Sequence, residues 1–178
     1  LAAGGVETVQ ASIDSSPVTG EQKVVVIIGN FKDASVACSA DEIRDIMFND
    51  AAGNHVDALY REMSSDSVSL RGNVTGPYAI DFSSTDPVCD TAGWADALDS
   101  MLLQKGVNLS VYNRKIYVLP SQNSCGFSGF GTVGGNPSRA WVMRCGISGV
   151  FAHELGHNLG MNHASTPTNQ YGDTSDMM

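Results

Sequence analysis

Three histidines and one glutamate in Phe151-Ala-His-Glu-Leu-Gly-His-Asn-Leu-Gly-Met-Asn-His163 have the types and the spacing to do chemistry. His153, Glu154, His157, Gly160 and His163 follow the pattern H-E-x-x-H-x-x-G-x-x-H, the arrangement of a hydrolytic zinc site. At average residue usage the match would arise by chance in a chain of this length roughly once in a hundred thousand, so the pattern marks a site. Zinc in such a site takes three protein nitrogens, each about 2.0–2.1 Å away, and keeps one position open. His153, His157 and His163 are the candidate ligands. Glu154 is the candidate general base, taking a proton from the attacking water and passing it to the leaving amine.

The helical geometry supports these roles. At about 100° per residue and with His153 at zero, His157 lies at about 40°, while Ile147, Phe151, Leu155 and Leu159 lie between about 120° and 240°. The two histidines face away from the apolar stripe, which core histidines would share. Glu154, at about 100°, is off the histidine face, as suits a group that meets the water and not the metal. Gly149, Ala152 and Gly156 form a flank without bulk where another element can pack closely. Gly160 can adopt the left-handed conformation that ends the helix, expected over about 147–160, and lets His163 return. The ligands bind as neutral imidazoles, so acidification is expected to release the metal.

Such a helix needs a rigid support, and the chain ahead of it supplies one. Lys23-Val-Val-Val-Ile-Ile-Gly29 and Arg114 to Leu119 are apolar runs of the kind buried on both faces of a sheet. Ser39-Ala-Asp-Glu42 is a capping box opening a short helix with Ile43, Ile46 and Met47 on one side. Further helices are expected from about Asn54 to Met63 and from Thr91 to Lys105. Ser67 to Val74 and Tyr78 to Phe82 are strand-like, and the turn signal Thr75-Gly-Pro77 between them suggests a hairpin. Ala140 to Arg144 is strand-like too. The alternation argues for a mostly parallel sheet with helices packed on it.

Gly129-Phe-Gly-Thr-Val-Gly134 matches G-x-G-x-x-G, but it leads through Gly135-Asn-Pro137 into a strand and not into a helix, so it is not a nucleotide-binding turn. It is expected to be a glycine-rich edge strand that another backbone can approach closely. Neither Ser128 nor Ser148 completes G-x-S-x-G, so a serine nucleophile has no support.

Composition narrows the rest. The 178 residues, 42% hydrophobic and 16% charged, suit one globular domain. No apolar run approaches the roughly 18 residues of a membrane span. Nineteen acidic against ten basic residues give a formal net charge of −9, so nucleic acid is not expected as a partner. No D-x-D-x-D-G loop is present, and no ion besides zinc is expected. The four cysteines contain no C-x-x-C pair and suit two disulfides in an oxidising compartment. Of three possible pairings, Cys38 with Cys89 and Cys125 with Cys145 is favoured, because the latter would brace the segment before the zinc helix. Asn73-Val-Thr and Asn108-Leu-Ser are glycosylation sequons. Residues 1–22 read as an extended lead-in, and the start at Leu1 suits a processed or trimmed terminus. Oligomeric state is not legible.

The extended motif resembles that of the metzincin clan of zinc endopeptidases. Ala164 follows the third histidine, where astacins have Glu, matrixins Ser, adamalysins Asp and serralysins Pro. With Tyr171-Gly-Asp-Thr-Ser-Asp-Met-Met178, Arg61-Glu-Met-Ser64, Gly76-Pro-Tyr78 and Tyr117-Val-Leu-Pro120, the chain is similar to the gametolysin (peptidase M11) family from about Lys23 onward. The resemblance implies an α/β, zincin-like fold: a twisted, mostly parallel five-stranded sheet with an antiparallel glycine-rich edge strand and packed helices. It implies an N-terminal subdomain over 23–160 and the start of a second over 161–178, with Met178, or alternatively Met177, in a turn beneath the zinc. It implies that Phe130, Gly131, Thr132, Val133 and Gly134 form the cleft edge, which binds a protein or glycoprotein substrate in extended form. The implied activity is that of a secreted zinc endopeptidase cleaving extracellular or cell-wall glycoproteins, often rich in proline or hydroxyproline. Catalytic domains of the clan continue beyond this turn, so two readings stand: the chain is a fragment of a longer enzyme, or it lacks the lower subdomain on which activity depends. The rival reading is a non-catalytic wall or surface-coat component that keeps the fold, and the intact Glu154 beside three histidines argues against it.

Overall fold

In the computed structural model, residues 17–169, 171–172 and 176–178 are described; most of the expected lead-in and part of the expected Met-turn segment lie outside them. The sheet begins with β1 (Gly20–Asn30), whose β-branched run alternates its side chains between two cores. Val24, Val26 and Ile28 enter one core and Val25 and Ile27 the other. Ser39 then caps α1 (Ala40–Arg44) through the predicted capping box with Glu42, and the helix runs on as a π-helical turn over Asp45–Asn49. His55 caps α2 (Val56–Met63) by accepting the Ala58 amide at Nδ1, 3.2 Å away.

The expected hairpin does not form. Its two halves and the intervening Thr75-Gly-Pro77 belong to one long strand, β2 (Val68–Ala79), parallel to β1. Between Ile27 and Gly29 of β1 the register advances from Thr75 to Tyr78 on β2, so the turn signal is absorbed as one extra residue, a bulge. Gly76 takes the required positive φ of 113°. Pro77 is tolerated because β2 is an edge strand, where a missing amide donor breaks no ladder.

α3 (Thr91–Gln104), β3 (Arg114–Val118), β4 (Gly129–Gly131), β5 (Ser138–Val142) and α4 (Ser148–Asn158) complete the order. The sheet runs β2-β1-β3-β5-β4, with β4 antiparallel and the other pairs parallel. It is the mixed five-stranded α/β arrangement expected from the sequence. One face carries α1, α2 and α4 over a core containing Ile43, Tyr60, Ile116, Phe151 and Leu155. The other carries α3 over Trp94, Leu98, Tyr117 and Trp141.

This division corrects the disulfide pairing. The bonds are Cys38–Cys145 and Cys89–Cys125. Cys38 and Cys145 belong to the α4 face, whereas Cys89 and Cys125 pack on the α3 face, so the expected Cys125–Cys145 bond would have to cross the sheet. The segment before α4 is braced as anticipated, but by Cys38. In the chain-entropy account of disulfides, opening the 107-residue loop should cost about 4–5 kcal/mol and opening the 36-residue loop about 4 kcal/mol. Urea unfolding should therefore place C38S/C145S below C89S/C125S in stability, and non-reducing peptide mapping should recover Cys38 linked to Cys145.

Candidate active site

α4 is built around a division between core and cleft. Phe151, Ala152 and Leu155 are fully buried against the sheet, which turns His153 and His157 to the other side, as the helical angles require. The small-residue flank is used as expected: the Tyr60 hydroxyl donates to the Ala152 carbonyl at 2.6 Å. A Cβ on Gly156 would lie 2.3 Å from Met178 Sδ. Met178 is itself buried, with its sulfur against the helix backbone, while Met177 contributes its carbonyl.

Leu159 ends the helix and Gly160 takes a φ of 98°, the left-handed conformation for which glycine carries no Cβ penalty. The Met161 amide then donates to the Gly156 carbonyl at 2.9 Å, and the chain turns back so that His163 meets the other two histidines. The candidate nitrogens of His153, His157 and His163 all lie within 4.8 Å of one another. His153 Nδ1 is 2.8 Å from the Met177 carbonyl and His157 Nδ1 is 2.9 Å from the Met161 carbonyl. A carbonyl oxygen only accepts, so both Nδ1 atoms carry a proton, and in the neutral, ligating form of each ring the lone pair is on Nε2.

This donor set fits a metal ion. Two nitrogens bound tetrahedrally to one zinc stand roughly 3.3 Å apart, and His157 Nε2 and His163 Nε2 are 3.1 Å apart. Burial, followed by the neighbouring His157 and His153, pulls the pKa of His163 below the usual histidine value, which favours the neutral, ligating form.

Glu154 is only 5% exposed, and burial pushes its pKa up to about 7. It is held beside the histidines by the closeness of β4: a Cβ on Gly129 would lie 2.4 Å from Glu154 Oε1, and one on Gly131 would lie 2.7 Å from the Glu154 carbonyl oxygen. The backbone that the glycine-rich strand was expected to admit is that of α4. β4 itself is short, but Thr132 still pairs with the Arg139 carbonyl at 2.9 Å, and the Gly134 amide donates to the His157 carbonyl at 2.8 Å. Phe130 and Val133 are exposed beside the histidines. Together these groups line an open cleft of about 520 Å³.

Other candidates lie elsewhere. Asn73, exposed on β2, donates to the Tyr112 hydroxyl at 3.1 Å, and Asn108, also exposed, accepts from the Ser110 amide and hydroxyl. Three residues at the site had no signal in the motif. Tyr171 places its ring 4.2 Å from that of His163. Asn158, fully buried, donates through Nδ2 to the carbonyls of Thr132 and Arg139, both at 2.9 Å. The Arg114 guanidinium, 3% exposed, donates to the Asn158 carbonyl at 3.1 Å and to the Gly135 carbonyl. An apolar strand containing an arginine was the available hint for Arg114, and an asparagine inside a buried helix turn was the hint for Asn158.

The sequence profile of the family described as Gametolysin peptidase M11 matches residues 23–178. A curated protein named Autolysin, from Chlamydomonas reinhardtii, is 36% identical over 70 residues. The match covers 36% of this chain and 11% of that protein, so the chain spans much less than two thirds of its length.

The close contact between β4 and α4 gives a direct test. Gly131→Ala would drive a methyl into the Glu154 carbonyl oxygen and toward His157 Cβ, 3.1 Å away, and should cost about 1–3 kcal/mol as an overpacked contact. Thermal melting of the metal-free chain reads that loss. Elemental analysis after dialysis should show weakened metal retention, because the helix that carries His153 and His157 must shift.

Proposed function

Because the chain belongs to the gametolysin peptidase M11 family, a family of metallopeptidases, we propose that it is a secreted zinc-dependent endopeptidase that cleaves peptide bonds of extracellular or cell-wall proteins and glycoproteins. The observation that carries this reading is the convergence of three imidazoles, two of them oriented by backbone carbonyls, beside a buried carboxylate in an open cleft. His153, His157 and His163 are the proposed zinc ligands. A zinc ion held there would supply Lewis acidity, polarising the scissile carbonyl and activating a water.

The chain's own residues do the rest. Glu154 takes the proton of the attacking water and delivers it to the departing amine, and a carboxyl raised to about 7 is matched to both halves of that task at neutral pH. Gly129 and Gly131 leave the room that its side chain occupies. The outer edge of β4 has no strand beside it among the described residues, so an extended peptide can add to it by backbone hydrogen bonds and be held along the cleft. Met178 supports α4 from below at Gly156. The two disulfides and the relative's name, Autolysin, support an extracellular setting and substrate.

The test is hydrolysis of an unfolded protein by the wild type, by the wild type with a zinc chelator, and by Glu154→Gln. Chelation should abolish cleavage and added zinc should restore it. Glu154→Gln should retain the metal, measured by elemental analysis, and lose activity by about 10²–10⁴-fold. Equal cleavage by the zinc-loaded wild type and the zinc-loaded variant would sink the assignment.

A further inference from the structure

The cleft has a wall that the hydrolytic chemistry does not use. The Cβ positions of Gly129 and Gly131 point at α4, so Phe130 between them points to the opposite face of the sheet. There its ring stacks on that of its cross-strand partner Trp141, with centroids 5.4 Å apart, and meets Phe127 at 5.9 Å. Trp141 stacks in turn on Tyr117 at 5.7 Å.

The row is anchored at its inner end. Tyr117 is fully buried and donates its hydroxyl to Asp99 at 2.9 Å, and Asp99 also holds Lys115 at 2.8 Å and Arg139 at 3.1 Å. Trp141 is 4% exposed, yet Phe130 at the outer end is 45% exposed. The Cys89–Cys125 bond fixes the chain two residues before Phe127. A half-exposed ring at the end of this aromatic row, on the outer edge of β4, which borders the cleft of the three histidines and has no strand beside it among the described residues, is a preformed contact surface and not part of the core.

We propose that Phe130, backed by Trp141 and flanked by Phe127, is a specificity-determining residue that receives an aromatic or large aliphatic side chain of the substrate at one position only. The proposal rests on the strand-addition reading above. In a peptide laid along β4, the residue opposite Phe130 lies on the same face of the extended sheet, with Cβ atoms about 4.5–5.5 Å apart. Its two neighbours point the other way, toward α4, Glu154 and the histidines. Period-two alternation thus separates the side chain read by Phe130 from those beside the reacting bond. An offset aromatic pair prefers this geometry by roughly three- to tenfold in binding, beyond the area it buries.

The experiment uses the zinc-loaded chain and a peptide library varied one position at a time on both sides of the cleaved bond, read by mass spectrometry. The wild type should prefer Phe, Tyr, Trp or Leu over Gly or Asp at a single position, with no such preference at the positions directly beside it. Phe130→Ala should lower kcat/KM for peptides with an aromatic residue there by about tenfold. The ratio of aromatic to Gly cleavage at that position should fall by about tenfold, with zinc content by elemental analysis and the thermal melting curve as the controls for the metal site and for folding. Phe130→Tyr should restore the aromatic preference. Cleavage by the wild type without a preference at any one position, or a preference that survives Phe130→Ala, would overturn the platform while leaving the peptidase reading intact. Loss of the Gly peptide in parallel with the aromatic one would assign Phe130 to the fold and overturn the proposal. Absence of any cleavage by the zinc-loaded wild type would overturn the peptidase reading, and the platform with it.

Discussion

The contact on which the rest of the structure depends is the approach of α4 to β4. A carboxylate beside three imidazoles must be kept from rotating into open water, and here Glu154 is held by a strand with no side chains to offer on that face. The would-be Cβ atoms of Gly129 and Gly131 fall 2.4 and 2.7 Å from Glu154 Oε1 and the Glu154 carbonyl oxygen, so a larger residue at the first position must push the carboxyl aside and one at the second must displace the helix backbone. The same closeness explains the raised pKa of Glu154, since the strand that positions the carboxyl also removes its water. Position and protonation therefore have one cause.

Close approach alone would let the helix slide along the strand, and polar tethers at the far end prevent this. Asn158 takes two edge carbonyls, from Thr132 and Arg139, and the His157 carbonyl takes the Gly134 amide. Arg114 closes the set from beneath, donating to carbonyls of Gly135 and Asn158, to Ser138 Oγ and to Gln22 Oε1. All four acceptors are neutral. Burial disfavours a charged guanidinium, and its pKa is drawn down accordingly, but its position at the carboxyl end of α4 places the charge where the helix dipole is negative. The polar groups here connect three elements at once, whereas an apolar residue of similar size could fill the space and leave their register undefined.

Much of this was legible in the sequence, for reasons that can be separated. The motif and helical geometry place the histidines opposite Phe151 and Leu155 because angular position on a helix is set by spacing alone. The β-branched run at Val24 to Ile28 declares a strand buried on both faces, and the glycine-rich segment declares a close approach. The hairpin expected at Thr75-Gly-Pro77 does not form because a turn signal and a bulge on an edge strand use the same residues, and only the neighbouring β1 decides between them. The disulfide pairing failed because sequence proximity to α4 says nothing about which side of the sheet a cysteine lies on. Tyr171, Asn158 and Arg114 were not singled out because their partners are backbone groups and rings brought together by the fold, and no local pattern encodes those.

The two disulfides and the two histidine–carbonyl bonds secure the cleft in complementary ways. Cys145 lies three residues before α4 begins and Cys125 four before β4 begins, so both walls are tied covalently on the side where the chain enters them, each from its own face of the sheet. The return segment after Gly160 has no such tie among the described residues. It is held instead through the site, by His157 Nδ1 on the Met161 carbonyl, His153 Nδ1 on the Met177 carbonyl, and Met178 Sδ against Gly156. Each of the two hydrogen bonds fixes a tautomer and a piece of backbone together, so ligand geometry and the path of the return segment are one arrangement, and disturbing either must disturb the other. The rigid half of the cleft is built by packing and disulfides; the other half is organised by the groups that do the chemistry.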